Sequence, residues 1–539
     1  MKIKSSVRIV AAIWQSLVLT SLLASACTRL VIYPSDLTAT ANASYAQSSS
    51  PTPLVLQAAT TQPSYDTTRV MDVPPTSVPT PSHTPTAIFT PRPPILYNSQ
   101  SGDTLQAVSV RFGVNQAEIT SPDSIPQQGY INPNQLLIIP ARLDETTPSE
   151  WLMPDSEIVF SSSAIDFDIE QYILEGDGYL KTYREYLDNG WNNATQIVTR
   201  VAYENSINPK ILLAVIQHQG NWVFGQPRNL AETDYPAGYK YYKNKGLYRQ
   251  LNWAAKMMSI GYYEWRSGNL THLTFLDKST KRLAPDLNAG TVALLYLFSK
   301  IMNPIDWGDT LYTAESFPKL YAQMFGDPWA RAQLVEPLLP PGLTQPILEL
   351  PFLPGHTWSY TGGPHHVWFR DGGPLAAIDF APPLDHPGCS PSDEQVTAVA
   401  PGVIARSGNG IVVLDLDGDG YEQTGWSIFY LHIGSKGRAP VGKYVDLNDP
   451  IGYPSCEGGS STGTHVHIAR KYNGEWMLAE GPVPFVMSGW QVHNGDKPYL
   501  GTMTNGDQTI VARVDLQADA LITRPKTASP LLDTQQNHP

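Results

Sequence analysis

The 539-residue chain is poor in cysteine and in charge. Three cysteines are too few for a scaffold built on disulfides, and their odd number leaves one needing a separate explanation. Charged residues make up 16% of the chain, below the ~25% usual in soluble domains. Lys and Arg total 36 against 49 Asp and Glu, a formal net charge of -13. The missing basic surplus excludes a nucleic-acid binder working through basic patches and a polybasic membrane-surface protein. Past the amino terminus, no apolar run reaches the ~20 residues of a membrane helix. Proline and glycine are plentiful, at 47 and 41. With this length, they predict three or four units rather than one compact domain.

The first 27 residues read as an export signal. Lys2 and Lys4 precede an apolar run from Ile9 to Leu23, broken by Gln15-Ser16 and Thr20-Ser21 and ending in Ala24-Ser25-Ala26-Cys27. Ala-Ser-Ala suits ordinary signal peptidase. Cys27 resembles the lipidated cysteine of a lipobox, although Ala24 stands where Leu is commonest. Lipid anchoring to the membrane through Cys27, plain secretion and an uncleaved anchor all put the rest of the chain outside the cytoplasm, where disulfides persist. Residues 28–94, rich in Ser, Thr, Ala and Pro, lack the means to build a core and read as an extended spacer.

Composition changes at Ile95. Residues 95–141 contain Ser101-Gly102-Asp103-Thr104-Leu105 and close on Asn132-Pro133-Asn134-Gln135-Leu136 and Ile138-Ile139-Pro140. The pattern predicts strand, helix (about Leu105 to Phe112), second helix and strand. These motifs resemble the lysin-motif (LysM) family, small α/β domains that bind N-acetylglucosamine polymers. The resemblance implies a glycan groove lined by Gly102, Asp103, Thr104, Ile131, Asn132 and Pro133. Asp103-Thr104 also has the chemistry of a helix cap.

After a linker at 142–165, residues 166–335 read as an all-α middle domain. Asn208-Pro209 is a helix start, with a cap residue and proline in the first turn. Ile211 to Ile216 is apolar all round, as in a buried central helix. Ile207 to Gln219, and Asn288-Ala289-Gly290-Thr291, resemble helices of lysozyme-like transglycosylases. Those enzymes need a glutamic acid as proton donor, and Gln219 stands in its place. The resemblance therefore implies glycan binding or spacing, with Glu204 and Glu232 as alternative acids and Tyr239 to Tyr242 as sugar-lining residues.

A short linker at 336–345 leads to residues 346–513. Seven of the 12 histidines fall between His356 and His467. Short β-like runs separated by Gly and Pro predict an antiparallel, all-β domain. In Thr464-His465-Val466-His467 the two histidines alternate and so project from one strand face. Gly362-Gly363-Pro364-His365 precedes Ala377-Ile378-Asp379-Phe380. Two histidines and an aspartate make a three-ligand Zn²⁺ site with an open fourth position, the pattern of catalytic zinc. His432 in Tyr430-Leu431-His432 is an available base.

Together these motifs and Ser461-Thr462-Gly463 resemble the lysostaphin-like zinc endopeptidases, closest to the β-lytic branch. That resemblance implies His365, Asp379 and His467 as zinc ligands, with His465 and His432 assisting catalysis. His366 adjoins His365 and stays open as the ligand in its place. The remaining cysteines, Cys389 and Cys456, are then expected to form a disulfide beside the site, the other possibility being two separate thiols. Asp415 to Glu422 resembles the start of a calcium loop, but Trp426 replaces the closing glutamate, so a hairpin turn is expected. Residues 514–539 read as a loose tail.

The multidomain chain is thus expected to be an exported zinc endopeptidase that cuts peptide cross-links of peptidoglycan while held on glycan by its LysM domain. The alternative is a wall-binding scaffold or amidase activator.

Overall fold

The computed structural model describes residues 92–369, 371–514 and 517–527. The export signal, Cys27 and nearly all of the 28–94 spacer lie outside them.

The first module pairs strand β1 (Ile95–Asn98) antiparallel with β2 (Leu136–Ile139). Helix α1 (Leu105–Phe112) crosses between them. The Thr104 side chain accepts from the Ala107 amide, and Gly113 ends the helix in the left-handed region with φ 67°. The expected second helix is only a three-residue 3₁₀ turn, Gln116–Glu118. Pro122 and Pro126 follow it, and each removes an amide donor and disfavours helix in the residue before it.

The middle module is mainly helical, but two short antiparallel hairpins correct the all-α expectation: Arg184–Leu187 pairs with Gly190–Asn193 and His272–Thr274 with Thr280–Arg282, segments too short and polar to show a strand period. Helix α2 (Ala194–Asn205) packs on α4 (Leu247–Arg266), and α3 (Pro209–Gly220) runs through the core with residues 209–216 all buried. Asn208 caps α3 by accepting from the Lys210 amide at 2.9 Å. Helix α5 (Ala289–Ser299) is also almost wholly buried. A Cβ at Gly290 would lie 2.6 Å from the Pro154 carbonyl, so only glycine permits this approach.

That contact corrects the linker expected at 142–165. Leu152, Met153, Ile158, Val159 and Phe160 are buried in the helical core. The two carboxylates among them are satisfied: Asp155 accepts from Asn288 Nδ2 and the Gly290 amide, and Glu157 pairs with Arg331 and Tyr321. Leu338 and Leu339 of the expected 336–345 linker are buried too.

The carboxyl-terminal module is built on an antiparallel sheet. Its strands are β3 (Thr357–His366), β4 (Leu375–Ala381), β5 (Gly402–Gly408), β6 (Ile411–Asp415), β7 (Trp426–Leu431), β8 (Tyr444–Val445), β9 (Val466–Tyr472), β10 (Glu475–Met477) and β11 (Leu521–Thr523). They run in the order β8-β5-β6-β7-β9-β4-β3-β11, with β10 paired to β9. The segment expected to be a loose tail supplies β11, which pairs Leu521 with Ser359 and Thr523 with Thr357. Arg524 beyond it is buried and donates to the Phe352 carbonyl at 2.6 Å.

Alternate residues of β6 enter two different cores. Ile411 and Val413 pack into the helical core, Val412 and Leu414 into the hydrophobic core of the sheet module. The sheet is therefore covered on both faces, which is why β6 reads as a continuous apolar run. The loop from Asp415 to Trp426 is a hairpin connection, as expected.

Candidate metal centre

Three strands bring the expected ligands together. In the sheet register, His467 on β9 lies opposite Asp379 on β4, and Gly362 on β3 lies opposite Asp379 from the other side. The β3–β4 register shifts between Gly362 and His365, which turns His365 toward the same point. His365, Asp379 and His467 each offer one ligand atom, and these atoms lie within 4.8 Å of one another. His365 Nε2 stands 3.3 Å and His467 Nδ1 3.2 Å from Asp379 Oδ1. That oxygen is buried and has no hydrogen-bond partner. A buried, unpartnered carboxylate oxygen facing two imidazole nitrogens is a donor set suited to a divalent cation.

The surrounding glycines have a steric role. A Cβ at Gly362 would lie 2.5 Å from Asp379 Oδ2, and one at Gly363 2.5 Å from the Leu500 carbonyl. His365 Nδ1 is held by the Gly363 carbonyl at 2.8 Å, leaving Nε2 for the centre. His366 turns away: its Nδ1 meets the Gly373 carbonyl and its Nε2 accepts from the Gly372 amide.

His432 follows β7 with φ 65°, a left-handed conformation uncommon outside glycine and asparagine. Its ring lies 4.5 Å from that of His465, centroid to centroid, and its Nδ1 donates to the Glu457 carbonyl at 2.8 Å. His465 is tied in the same way through Nδ1 to the Gly463 carbonyl, and its Nε2 is 3.8 Å from Asp379 Oδ1. The strand pattern predicted for both histidines begins only at Val466; His465 sits just before it.

Electrostatics divide the imidazoles around one anion: burial acts to lower His365, but the Asp379 carboxylate outweighs it and raises that ring above the usual imidazole range. Burial, aided by the neighbouring imidazoles, pushes His432 down to about 3. Burial likewise pushes His467 down to about 4. Burial acts to raise Asp379, but His365 and His465 outweigh it and hold the carboxyl well below its ordinary range.

The Cys389–Cys456 disulfide is present and anchors the loop from Glu457 to Gly463 over the site. Glu457 is fixed in turn by Arg438 at 2.6 Å and the Ser435 amide at 2.8 Å.

The centre opens into a cleft of about 1220 Å³. Two parts of its wall were not foreseen. Tyr499 stacks on His365 with centroids 4.1 Å apart, and no motif surrounds it. Asp188, Arg200, Glu204 and Tyr248 come from the helical module. Glu204 is bound by Arg200 at 2.7 Å and by Tyr248 Oη at 3.0 Å, and burial raises its pKa. Gln219 is not part of this cleft; its amide pairs with His218 Nδ1. The Glu232 carboxylate accepts from the Arg228 guanidinium, from the Arg228 amide at 2.7 Å and from Asn229 Nδ2 at 3.0 Å.

In the first module the residues expected to touch glycan are mostly enclosed. Asp103 is buried, paired with Arg111 and accepting from Tyr97 Oη at 2.6 Å. Gly102 and Ile131 are buried, Thr104 and Pro133 half-buried, and only Asn132 is exposed. Asp103 and Thr104 thus hold the local fold.

Residues 151–338 match the family described as the LasA N-terminal domain. The chain is 25% identical over 350 residues to Protease LasA from two strains of Pseudomonas aeruginosa, covering 61% of this chain and 75% of that protein. Among solved structures, the deep-sea metalloprotease pseudoalterin is 23% identical, covering 31% of this chain and 96% of its own, with a TM-score of 0.27. The catalytic domain of lysostaphin from Staphylococcus simulans is also 23% identical, covering 23% of this chain and 89% of its own, with a TM-score of 0.17. The family match and the curated relative support a peptidase, and the convergence of His365, Asp379 and His467 supports a metal-dependent one.

Proposed function

We propose that the chain is an exported zinc endopeptidase that hydrolyses peptide cross-links of bacterial peptidoglycan. The observation that carries this reading is the buried, unpartnered Asp379 oxygen between His365 Nε2 and His467 Nδ1, at the floor of an open cleft. Two imidazoles and one carboxylate are the donor set of catalytic zinc. Bound there, zinc would polarise the scissile carbonyl and lower the pKa of a water toward ~7.

The chain's own residues do the rest. Gly362 and Gly363 let the Asp379 and Leu500 segments approach closely enough to shape the centre. His432 and His465 face each other beside it. With Nδ1 of each ring tied to a backbone carbonyl, both Nε2 atoms are left for the reacting groups. His432 is held neutral by burial, so it is suited to accept a proton from the attacking water and return it to the leaving amine. With its Nδ1–H given to the Gly463 carbonyl, His465 would donate to the oxyanion from Nε2 in its imidazolium form. Tyr499, stacked on His365, limits its rotation.

In this reading the first module is a LysM domain holding glycan and Cys27 carries a lipid anchor. Tethering raises local substrate concentration, so weak sugar affinity suffices. The test compares the purified protein with Asp379→Ala. Wild type is expected to bind about one zinc per chain and to release new amino groups from peptidoglycan, and the variant to do neither. Equal release by both would refute the assignment. Retained metal with no release by wild type would favour the scaffold reading.

A further inference from the structure

The enclosure of the first module's groove has a definite source. The two loops expected to hold glycan lie side by side: the Ile131 amide donates to the Asp103 carbonyl at 2.8 Å, and Ser99 Oγ to the Asn132 carbonyl at 2.5 Å. Both face the rest of the chain. Arg266, the last residue of α4, donates through Nη1 to the Ser101 carbonyl. Its guanidinium fills the space where a Cβ at Gly102 would stand. Ser101 Oγ exchanges hydrogen bonds with Leu339, accepting from its amide at 2.9 Å and donating to its carbonyl at 3.2 Å. Gln100 Nε2 donates to the Asp286 carbonyl at 2.8 Å. From the second loop, Tyr130 packs on Leu339, Met477 and Val483.

Arg266 is not a loose surface residue. Its Nη2 is held by Tyr262 Oη at 2.8 Å, Asp155 Oδ2 at 3.0 Å and Glu475 Oε2 at 3.2 Å. These partners belong to the helical and sheet modules. Arg266 therefore stays in place whether or not the first module is docked, and only the contact to Ser101 is lost on undocking. The same holds on the far side of the module, where Arg282 donates to the Val110 and Arg111 carbonyls at the end of α1.

We propose that the groove of the first module is a latent site for N-acetylglucosamine oligomers, and that glycan binding and docking against Arg266 and Leu339 are mutually exclusive. This rests on reading the module as LysM. In the docked chain a sugar would have to occupy the space of the Arg266 guanidinium. Glycan is therefore bound only by the undocked fraction, and apparent affinity falls by that fraction. Conversely, dense wall glycan pulls the module away from the other two, by linkage.

The experiment uses the full chain with an N-acetylglucosamine hexamer, read by calorimetry and by hydrogen exchange. Arg282→Ala is the primary variant, because it removes docking contacts without touching the groove or stranding a buried carboxylate. Gln100→Ala/Arg282→Ala is the second variant. Each lost hydrogen bond is worth a few-fold, so the double variant should bind the hexamer on the order of tenfold more tightly than wild type. In wild type, saturating hexamer should speed amide exchange at residues 263–268 and 336–340. Equal affinity in all three proteins, or binding without faster exchange in those segments, overturns the proposal and leaves the LysM reading standing. No binding by any of the three overturns the LysM reading, and the proposal with it.

Discussion

Replacing both bridge cysteines, Cys389→Ser with Cys456→Ser, tests how the loop over the centre is held. The bridge closes a loop of 67 positions. In the chain-entropy account, ΔS is −2.1 − 1.5R ln n, so this bridge removes about 15 cal/mol/K from the unfolded chain, or about 4 kcal/mol at 25 °C. At ~2.1 cal/mol/K of unfolding entropy per residue, spread over the described chain, this corresponds to a fall of roughly 5 °C by calorimetry. The functional consequence is local. Cys456 immediately precedes Glu457, whose carbonyl fixes His432 Nδ1. Arg438 and Ser435 still hold the Glu457 side chain in the variant, so the loop loosens rather than unfolds. Misplacing a proton-transfer group by an ångström costs up to about 10²-fold. That loss should appear in kcat, with KM and bound metal nearly unchanged. A double variant that melts within a degree of wild type and turns over at the same rate would refute this account of the bridge.

His432→Asn should keep metal and fold, because asparagine tolerates the left-handed backbone found there with φ 65°. Peptide release should nonetheless fall by about 10²–10⁴-fold, the usual worth of a positioned acid–base group, and an unchanged rate would remove His432 from the mechanism. Glu336, which accepts from the Ser156 amide, supplies a pH test of how the 152–160 segment is buried. Burial, with Asp155 close by, raises it to about 7 from an ordinary value near 4.5. A carboxyl whose folded pKa is raised adds stability that is complete below its unfolded pKa and is lost as pH rises through the folded one. Glu336→Gln should therefore raise the melting midpoint at pH 8 and leave it nearly unchanged at pH 4; equal effects at both values would refute the shift.

The metal centre was legible because each of its parts is a short local pattern. The His-x-His spacing drew attention to His465 and His467, although only His467 lies within β9, and Gly-Gly-Pro-His stood out as a motif whose reason is the Asp379 carboxylate beside Gly362. The buried helices were legible from Ile211 to Ile216 and from Asn288 to Thr291 for the same reason. The failures share another cause. Residues 152–160 are mixed polar and apolar, and nothing within them reveals that Asn288, Gly290, Arg331 and Tyr321 satisfy their carboxylates from elsewhere in the chain. β11 is three residues long and joins the sheet edge through backbone bonds, which leave little trace in side chains. Tyr499 reaches the site from a turn with φ 71° and carries no pattern at all.

The low charge takes on a different meaning once the modules are seen together. Several of the few charges are buried in pairs. Arg266 joins Asp155 and Glu475, Arg406 and Lys471 share Glu422, and Arg331 meets Glu157. Burial raises Glu475 and lowers Lys471, as expected for ions moved out of water. Such pairs contribute little net stability compared with apolar residues of the same size, since desolvation offsets much of their attraction. Their effect is on arrangement. A misplaced module would leave Glu475 or Glu422 buried without a partner, a penalty of several kcal/mol, whereas apolar contacts tolerate sliding. The shared core covers the second face of the sheet, and the ion pairs set which helices face it. Arg406 is the clearest case: bound to Glu422 within the sheet module, it also lies over the ring of Tyr203 on α2. Tyr203 adjoins Glu204 on the same helix, so this one side chain helps set where the helical module walls the cleft.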